Sequence, residues 1–126
     1  MANGTIAFDT LSTSGQITGT AKSVDTDYVV NGSAKAWVLG TDAAGRTKNF
    51  NVSGGTDNGG SGDYTYAFSN NMDSDNFVVS ATGASGGRRY GINAARTSAN
   101  FTVRYYDDTE SAADTVNANV VHGDLA

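Results

Sequence analysis

The chain contains no cysteine and no proline. Without cysteine there is no disulfide framework and no thiol chemistry, and nothing stands against assembly in a reducing cytosol. Leucine is scarce, present only as Leu11, Leu39 and Leu125. Hydrophobic residues fill 38% of the 126 positions, below the ~45–50% of ordinary globular chains. A core this lean needs aromatic fillers or a partner subunit. Basic residues are few as well, eight against thirteen acidic ones for a net charge of -5. With no basic stripe to displace counterions, the composition argues against a nucleic-acid or anionic-membrane surface. No run approaches the ~18 apolar residues of a membrane-spanning helix. Residues 1–9 carry neither a basic residue nor a long apolar core, so no signal peptide is expected.

What the chain does have is glycine, aromatics and alternation. Its length fits one domain, large enough to bury roughly two-thirds of the unfolded surface without metal or disulfide. The stretch 49–68 sets the pattern. Phe50 and Val52 fall on one face of an extended segment, and Tyr64, Tyr66 and Phe68 on one face of the next. A period of two marks a half-buried strand. Between them, residues 54–62 include five glycines, which reach positive φ at little cost and are built to turn. The expectation is a hairpin with strands ending near Ser53 and starting at Asp63.

The rest of the chain follows suit. Ile6 and Phe8 mark a short strand in residues 4–9, and the Ser/Thr-rich residues 10–23 read as an extended arm. Val24, Tyr28, Val29 and Val30 begin the apolar mass, and Asn31-Gly32 is a turn signal. Residues 33–38 fit either a strand or one turn of helix capped by Ser33; with only six residues between glycines a strand is favoured, and Trp37, the single tryptophan, is expected to anchor the core or a subunit interface. Phe77, Val79 and Ala81 alternate, as do Tyr90, Ile92 and Ala94, then Phe101, Val103 and Tyr105, then Val116, Ala118 and Val120. About eight strands with turn signals every 8–12 residues predict an all-β single domain, a β-sandwich or a jelly-roll or barrel-like fold. The domain spans 24–126, preceded by an extended arm or docking segment over 1–23.

Three strings carry a likeness: VDTDYVVNGSAKAWV (24–38), FNVS…TDNG…GDYTYAF (50–68), and FTVR…VNANVVHGDLA at the close. Together and in this order they resemble a module of tailed-bacteriophage virion proteins, met mostly at the C-terminal end of tail-fibre-like proteins of marine and freshwater phages, cyanophages included. The AKAWV block paired with the later DNG…GDYT block is the specific part. The family pattern continues the tryptophan block into Asn-Phe where this chain has Leu39-Gly40, and sets a proline after the methionine where this chain has Asp73. The resemblance implies a trimeric, β-rich, non-enzymatic domain exposed on a phage particle. A trimer would bury apolar residues of this stretch against their copies, so Tyr28, Val30 and Trp37 are the expected subunit interface. The match begins about twenty residues from Met1, so a free-standing copy is expected: a small fibre or tip subunit, or a capsid decoration or knob protein. The polar first twenty residues suit ordering by neighbours or by docking on the virion, and closed symmetry keeps such contacts finite.

Several constellations need weighing against plainer readings. Asp25 with Asp27, Asp57 with Asp63, Asp73 with Asp75, and Asp107, Asp108 and Glu110 are oxygen ligands of the kind calcium takes. None has the spacing of a calcium loop, and Asp commonly closes its own turn. His122, the sole histidine, holds a metal only if a threefold axis triples it. No nucleophile-elbow sequence accompanies it. Residues 83–87 are glycine-rich but lack the Lys-Ser/Thr of a phosphate loop. No cofactor is implied. Loops 54–62 and 83–89, with Asn58, Tyr64, Arg88, Arg89 and Tyr90, are the candidate receptor or partner contacts, since Tyr and Arg favour interfaces and tyrosine stacks on sugar rings. The expectations are therefore a virion structural protein assembled in the host cytoplasm, a homotrimer contacting other virion proteins and a host-surface glycan. A fibre-like or tip role comes first, capsid decoration second, and a small glycan depolymerase working through paired carboxylates third.

Overall fold

The computed structural model describes residues 16–18, 23–25, 32–83 and 89–126, the first two stretches by backbone alone. The expected strand at 4–9, the positions of Tyr28 and Val30, and Arg88 lie outside the described residues. The described strands are β1 (Gln16–Thr18), β2 (Ser23–Asp25), β3 (Ala36–Gly40), β4 (Arg46–Phe50), β5 (Val52–Asp57), β6 (Asp63–Phe68), β7 (Val78–Gly83), β8 (Tyr90–Thr97), β9 (Asn100–Tyr106) and β10 (Asn117–His122). β1 pairs antiparallel with β2, Ile17 opposite Val24, so the expected boundary after residue 23 falls inside a strand. The other eight form one antiparallel sheet in the order β4-β3-β10-β7-β8-β9-β6-β5. The fold is all-β, and of the sandwich and barrel alternatives a single, nearly closed barrel-like sheet is what forms.

Closure follows from the chain path. The two outermost strands of the sheet, β4 and β5, are consecutive in sequence and separated by Asn51 alone. Asn51 has φ 53, a left-handed conformation that asparagine tolerates better than most residues. Its amide donates to Lys35 O and Asn70 O at 3.1 Å each, and its Oδ1 accepts from Asn70 N at 2.7 Å. Across the seam Arg46 Nη1 donates to Val52 O at 2.6 Å. This corner corrects the expected hairpin. Phe50 belongs to β4, the chain turns at Asn51, and Gly54 and Gly55 are strand residues paired with Ala67 and Tyr66. Gly55 is small for a reason, since a Cβ there would run into the Ala44 carbonyl.

The core is built mainly by two strands. β6 turns Tyr64, Tyr66 and Phe68 inward, and β9 turns Phe101, Val103 and Tyr105 inward; all are buried. Ring pairs knit them together: Tyr66–Phe101 at 5.6 Å, Phe68–Phe101 at 5.5 Å, Phe68–Phe77 edge-on at 5.5 Å and Tyr64–Tyr105 at 6.0 Å. Offset and edge-on contacts of this kind add ~0.5–1.5 kcal/mol each beyond burial. Ala36 and Val38 of β3, Val121 of β10, and Val52, Met72 and Phe77 complete the filling.

Two strands run opposite to their apolar pattern. β10 turns Asn117, Asn119 and Val121 inward and leaves Val116, Ala118 and Val120 on the outside. The reason lies on the facing strands. Three buried tyrosines bring three hydroxyls inside, and a buried hydroxyl without a partner costs ~1–3 kcal/mol. Tyr66 OH donates to Asn117 Oδ1 at 3.0 Å, Tyr105 OH to Asn119 Oδ1 at 2.6 Å, and Asn119 Nδ2 to Asn117 Oδ1 at 2.7 Å. Asn117 Nδ2 ends the ladder on Thr115 O and Thr41 O. Tyr64 OH donates to Asp42 O at 3.0 Å and to Asp114 Oδ1 at 3.2 Å and accepts from Thr115 N at 3.2 Å. Desolvation pushes all three phenols up, Tyr64 to about 12. In β8 the inward residues are Gly91 and Asn93, while Tyr90, Ile92 and Ala94 face out. A Cβ at Gly91 would lie 2.6 Å from the Tyr105 ring, so that ring claims the space and the apolar side of β8 is displaced to the exterior.

Candidate functional site

The outward face of β8, β9 and β6 collects the chemistry. With Phe101, Val103 and Tyr105 inside, the alternation of β9 sends Thr102, Arg104 and Tyr106 outward. Register sets Asp63 opposite Arg104, Thr65 opposite Thr102, Ile92 opposite Arg104 and Tyr90 opposite Tyr106. Arg104 Nε donates to Asp63 Oδ2 at 2.7 Å, with the arginine side chain 52% exposed and the aspartate 17%. Asn58 Nδ2 donates to Asp63 Oδ1 at 2.7 Å and to Thr65 Oγ1 at 3.0 Å, and Thr65 and Thr102 share a hydroxyl–hydroxyl bond of 2.8 Å. Partial burial raises the Asp63 carboxyl, but the hydrogen bonds from Asn58 and Arg104 and the guanidinium charge together hold it below its ordinary value. The bond to Asp63 in turn raises Arg104, with a smaller contribution from Tyr106. Beside this polar row the Tyr90 and Tyr106 rings stack, centroids 5.6 Å apart and planes 22° apart.

The loop at the end of this face has a fixed root and an open tip. Asp57 Oδ1 accepts from Gly59 N at 2.9 Å, and Gly59 has φ 78. Gly62 has φ 69, and its N–H donates to Asp114 Oδ1 at 2.6 Å. A Cβ at Gly62 would lie 2.6 Å from both the Ala113 and Tyr105 carbonyls, so residue 62 is fastened against the 113–114 segment while Gly59 and Gly60 face open space.

The residues expected at a contact surface divide. Asn58 and Tyr90 both lie on this face, one beside Asp63 and the other beside Tyr106. Tyr64 does not. It is fully buried, with its hydroxyl committed to Asp42 and Asp114, and it leaves the contact set. Arg89 is half-buried, packed by Gly83 and within electrostatic reach of Asp107, with its Nε buried and unpartnered among the described residues. Trp37 is not a core residue; it is half-buried on the outside of the sheet, directly between Phe50 of β4 and Val120 of β10. Sequence reasoning missed Arg104, Asp63 and Tyr106 as contacts; the signal that could find them is the period-two alternation of β9 and β6, which turns them away from the core side.

Two of the clustered acids are engaged locally. Asp63 is bound by Arg104 and Asn58. Asp107 Oδ1 closes its own loop by accepting from Thr109 N, Thr109 Oγ1 and Ser111 N, and those bonds lower its carboxyl. Among the described residues no three His, Asp or Glu side chains converge as metal ligands. His122 is half-buried at the end of β10, opposite Val78. Compared with known protein families, curated proteins and solved structures, the chain matches none of them.

Proposed function

We propose that this chain is a structural protein of a phage particle, a fibre-like or tip module that contacts the host surface through the outward face of β8, β9 and β6. The observation that carries the reading is the Tyr90–Tyr106 stack set beside the Arg104–Asp63 pair. These side chains do nothing for the core, yet they are held in place by one another, as an interface requires. The resemblance of the three strings, in order, to phage virion modules suggests the particle context. The barrel interior is filled by tyrosine rings and the amides that satisfy them, which suits a binding and scaffolding role and not catalysis.

A second outer surface supports assembly. Phe50, Leu39 and Val116 are exposed on or beside β4, β3 and β10, and Trp37 joins Phe50 to Val120 across them. We assign this apolar surface to the subunit contacts of a homotrimer. The same surface favours a second reading, a decoration or knob protein seated permanently on the capsid. Immunogold labelling of purified particles tests both. Label confined to the tail supports the fibre-like role, label over the capsid supports decoration, and unlabelled particles refute the virion assignment. Light scattering of the purified chain tests the trimer, and a folded monomer at micromolar concentration refutes it.

A further inference from the structure

We infer that the Tyr90–Tyr106 face binds a neutral hexopyranose, the rings taking the C–H side of the sugar and the Arg104–Asp63–Asn58 row taking its hydroxyls. The inference rests on the host-contact reading above and gives it a ligand class. A pyranose is apolar on its axial C–H side and polar around its rim, so its receptor needs a flat aromatic surface next to alternating donors and acceptors. Here Tyr90 is 45% exposed and is held against Tyr106. The ring surface therefore exists before a ligand arrives, at little further cost in side-chain freedom.

The polar row lies one step away on the same face. Arg104 and Tyr106 are two residues apart on β9 and point the same way. Guanidinium, carboxylate and amide then follow in sequence from Arg104 to Asp63 to Asn58. Arg104 commits its Nε to Asp63, and a guanidinium has further N–H donors for a ligand oxygen. Charge selects among sugars. Asp63 is held ionised and cancels Arg104, and the chain carries -5 overall. A uronate or sialate would be opposed by the Asp63 carboxylate and by the net negative charge, whereas a neutral hydroxyl pair satisfies donor and acceptor together.

The test is an amide-resolved nuclear magnetic resonance titration of the full chain with neutral oligosaccharides of glucose, mannose, galactose and N-acetylglucosamine, with oligogalacturonate as the acidic comparator. The expected result is that a neutral oligosaccharide shifts the signals of Tyr90, Ile92, Arg104 and Tyr106. Tyr90→Ala should weaken that binding about tenfold, and Lys48→Ala on β4, away from this face, should leave it unchanged. The inference is overturned if no neutral oligosaccharide acts at millimolar concentration, if only the acidic one binds, if Tyr90→Ala binds normally, or if these signals move with protein concentration alone. If the chain is found on particles but binds no sugar, only this inference falls. If it binds sugar but is absent from particles, the virion assignment falls and the platform stands.

Discussion

Replacing Asn117 with leucine tests the least expected feature of the fold. Asn117 Oδ1 accepts from Tyr66 OH at 3.0 Å and from Asn119 Nδ2 at 2.7 Å. Leucine has the same branched shape but accepts nothing, so two buried donors lose their partner at about 1–3 kcal/mol each. Added burial of apolar side chain returns about 1 kcal/mol. The net expectation is a loss of about 3 kcal/mol, which at a urea slope of about 1.5 kcal/mol per molar lowers the midpoint by about 2 M. The assay is equilibrium urea unfolding followed by far-ultraviolet circular dichroism. Combining Asn117→Leu with Tyr66→Phe removes one of the stranded donors and should recover about 1–2 kcal/mol relative to Asn117→Leu alone. If Asn117→Leu is as stable as the wild type, or the double variant shows no recovery, the amide–phenol ladder does not hold the barrel together as described.

Alkaline pH should attack the same network. The phenols of Tyr64, Tyr66 and Tyr105 are raised by burial, so the unfolded chain loses these protons near pH ~10 while the folded one keeps them. Their contribution is intact below about pH 10 and is lost as pH climbs toward the folded values, at up to about 1.4 kcal/mol per pH unit for each tyrosine. Dichroism and phenolate absorbance should therefore change together above that point; phenolate formation by every tyrosine in a still-folded chain would contradict it. Gly62→Ala should cost more than about 2 kcal/mol, because φ is positive and two carbonyls occupy the Cβ position. Gly60→Ala, which meets nothing within 4 Å, should stay within about 0.5 kcal/mol of wild type in thermal unfolding. Asp63→Asn should cost at most about 1 kcal/mol, since Arg104 is half in water.

The parts of the fold legible in the sequence are those in which one strand carries its own signal. β6 and β9 set Tyr64, Tyr66 and Phe68, and Phe101, Val103 and Tyr105, at every second position, and both face as that alternation says. β10 was not legible, because its inward face is decided by tyrosine hydroxyls on other strands and not by its own valines. β8 is a similar case, since Gly91 faces in only because the Tyr105 ring needs the room. The break between β4 and β5 hangs on one left-handed asparagine within a run that otherwise looks continuous. In the candidate site the placing of Asn58 and Tyr90 beside the glycine-rich loops and on the outward face was legible. Tyr64 misled because tyrosine serves cores and interfaces equally well. Arg104 and Asp63 become neighbours only through strand register, which no local pattern supplies.

Cryo-electron microscopy of the phage particle proposed to carry this chain is the most direct test of the account. The expected map contains the barrel at fixed positions, with Trp37 and Phe50 turned toward other subunits and the Tyr90–Tyr106 face open to solvent. A map in which that face is buried against the particle, or in which the barrel is absent, would contradict it.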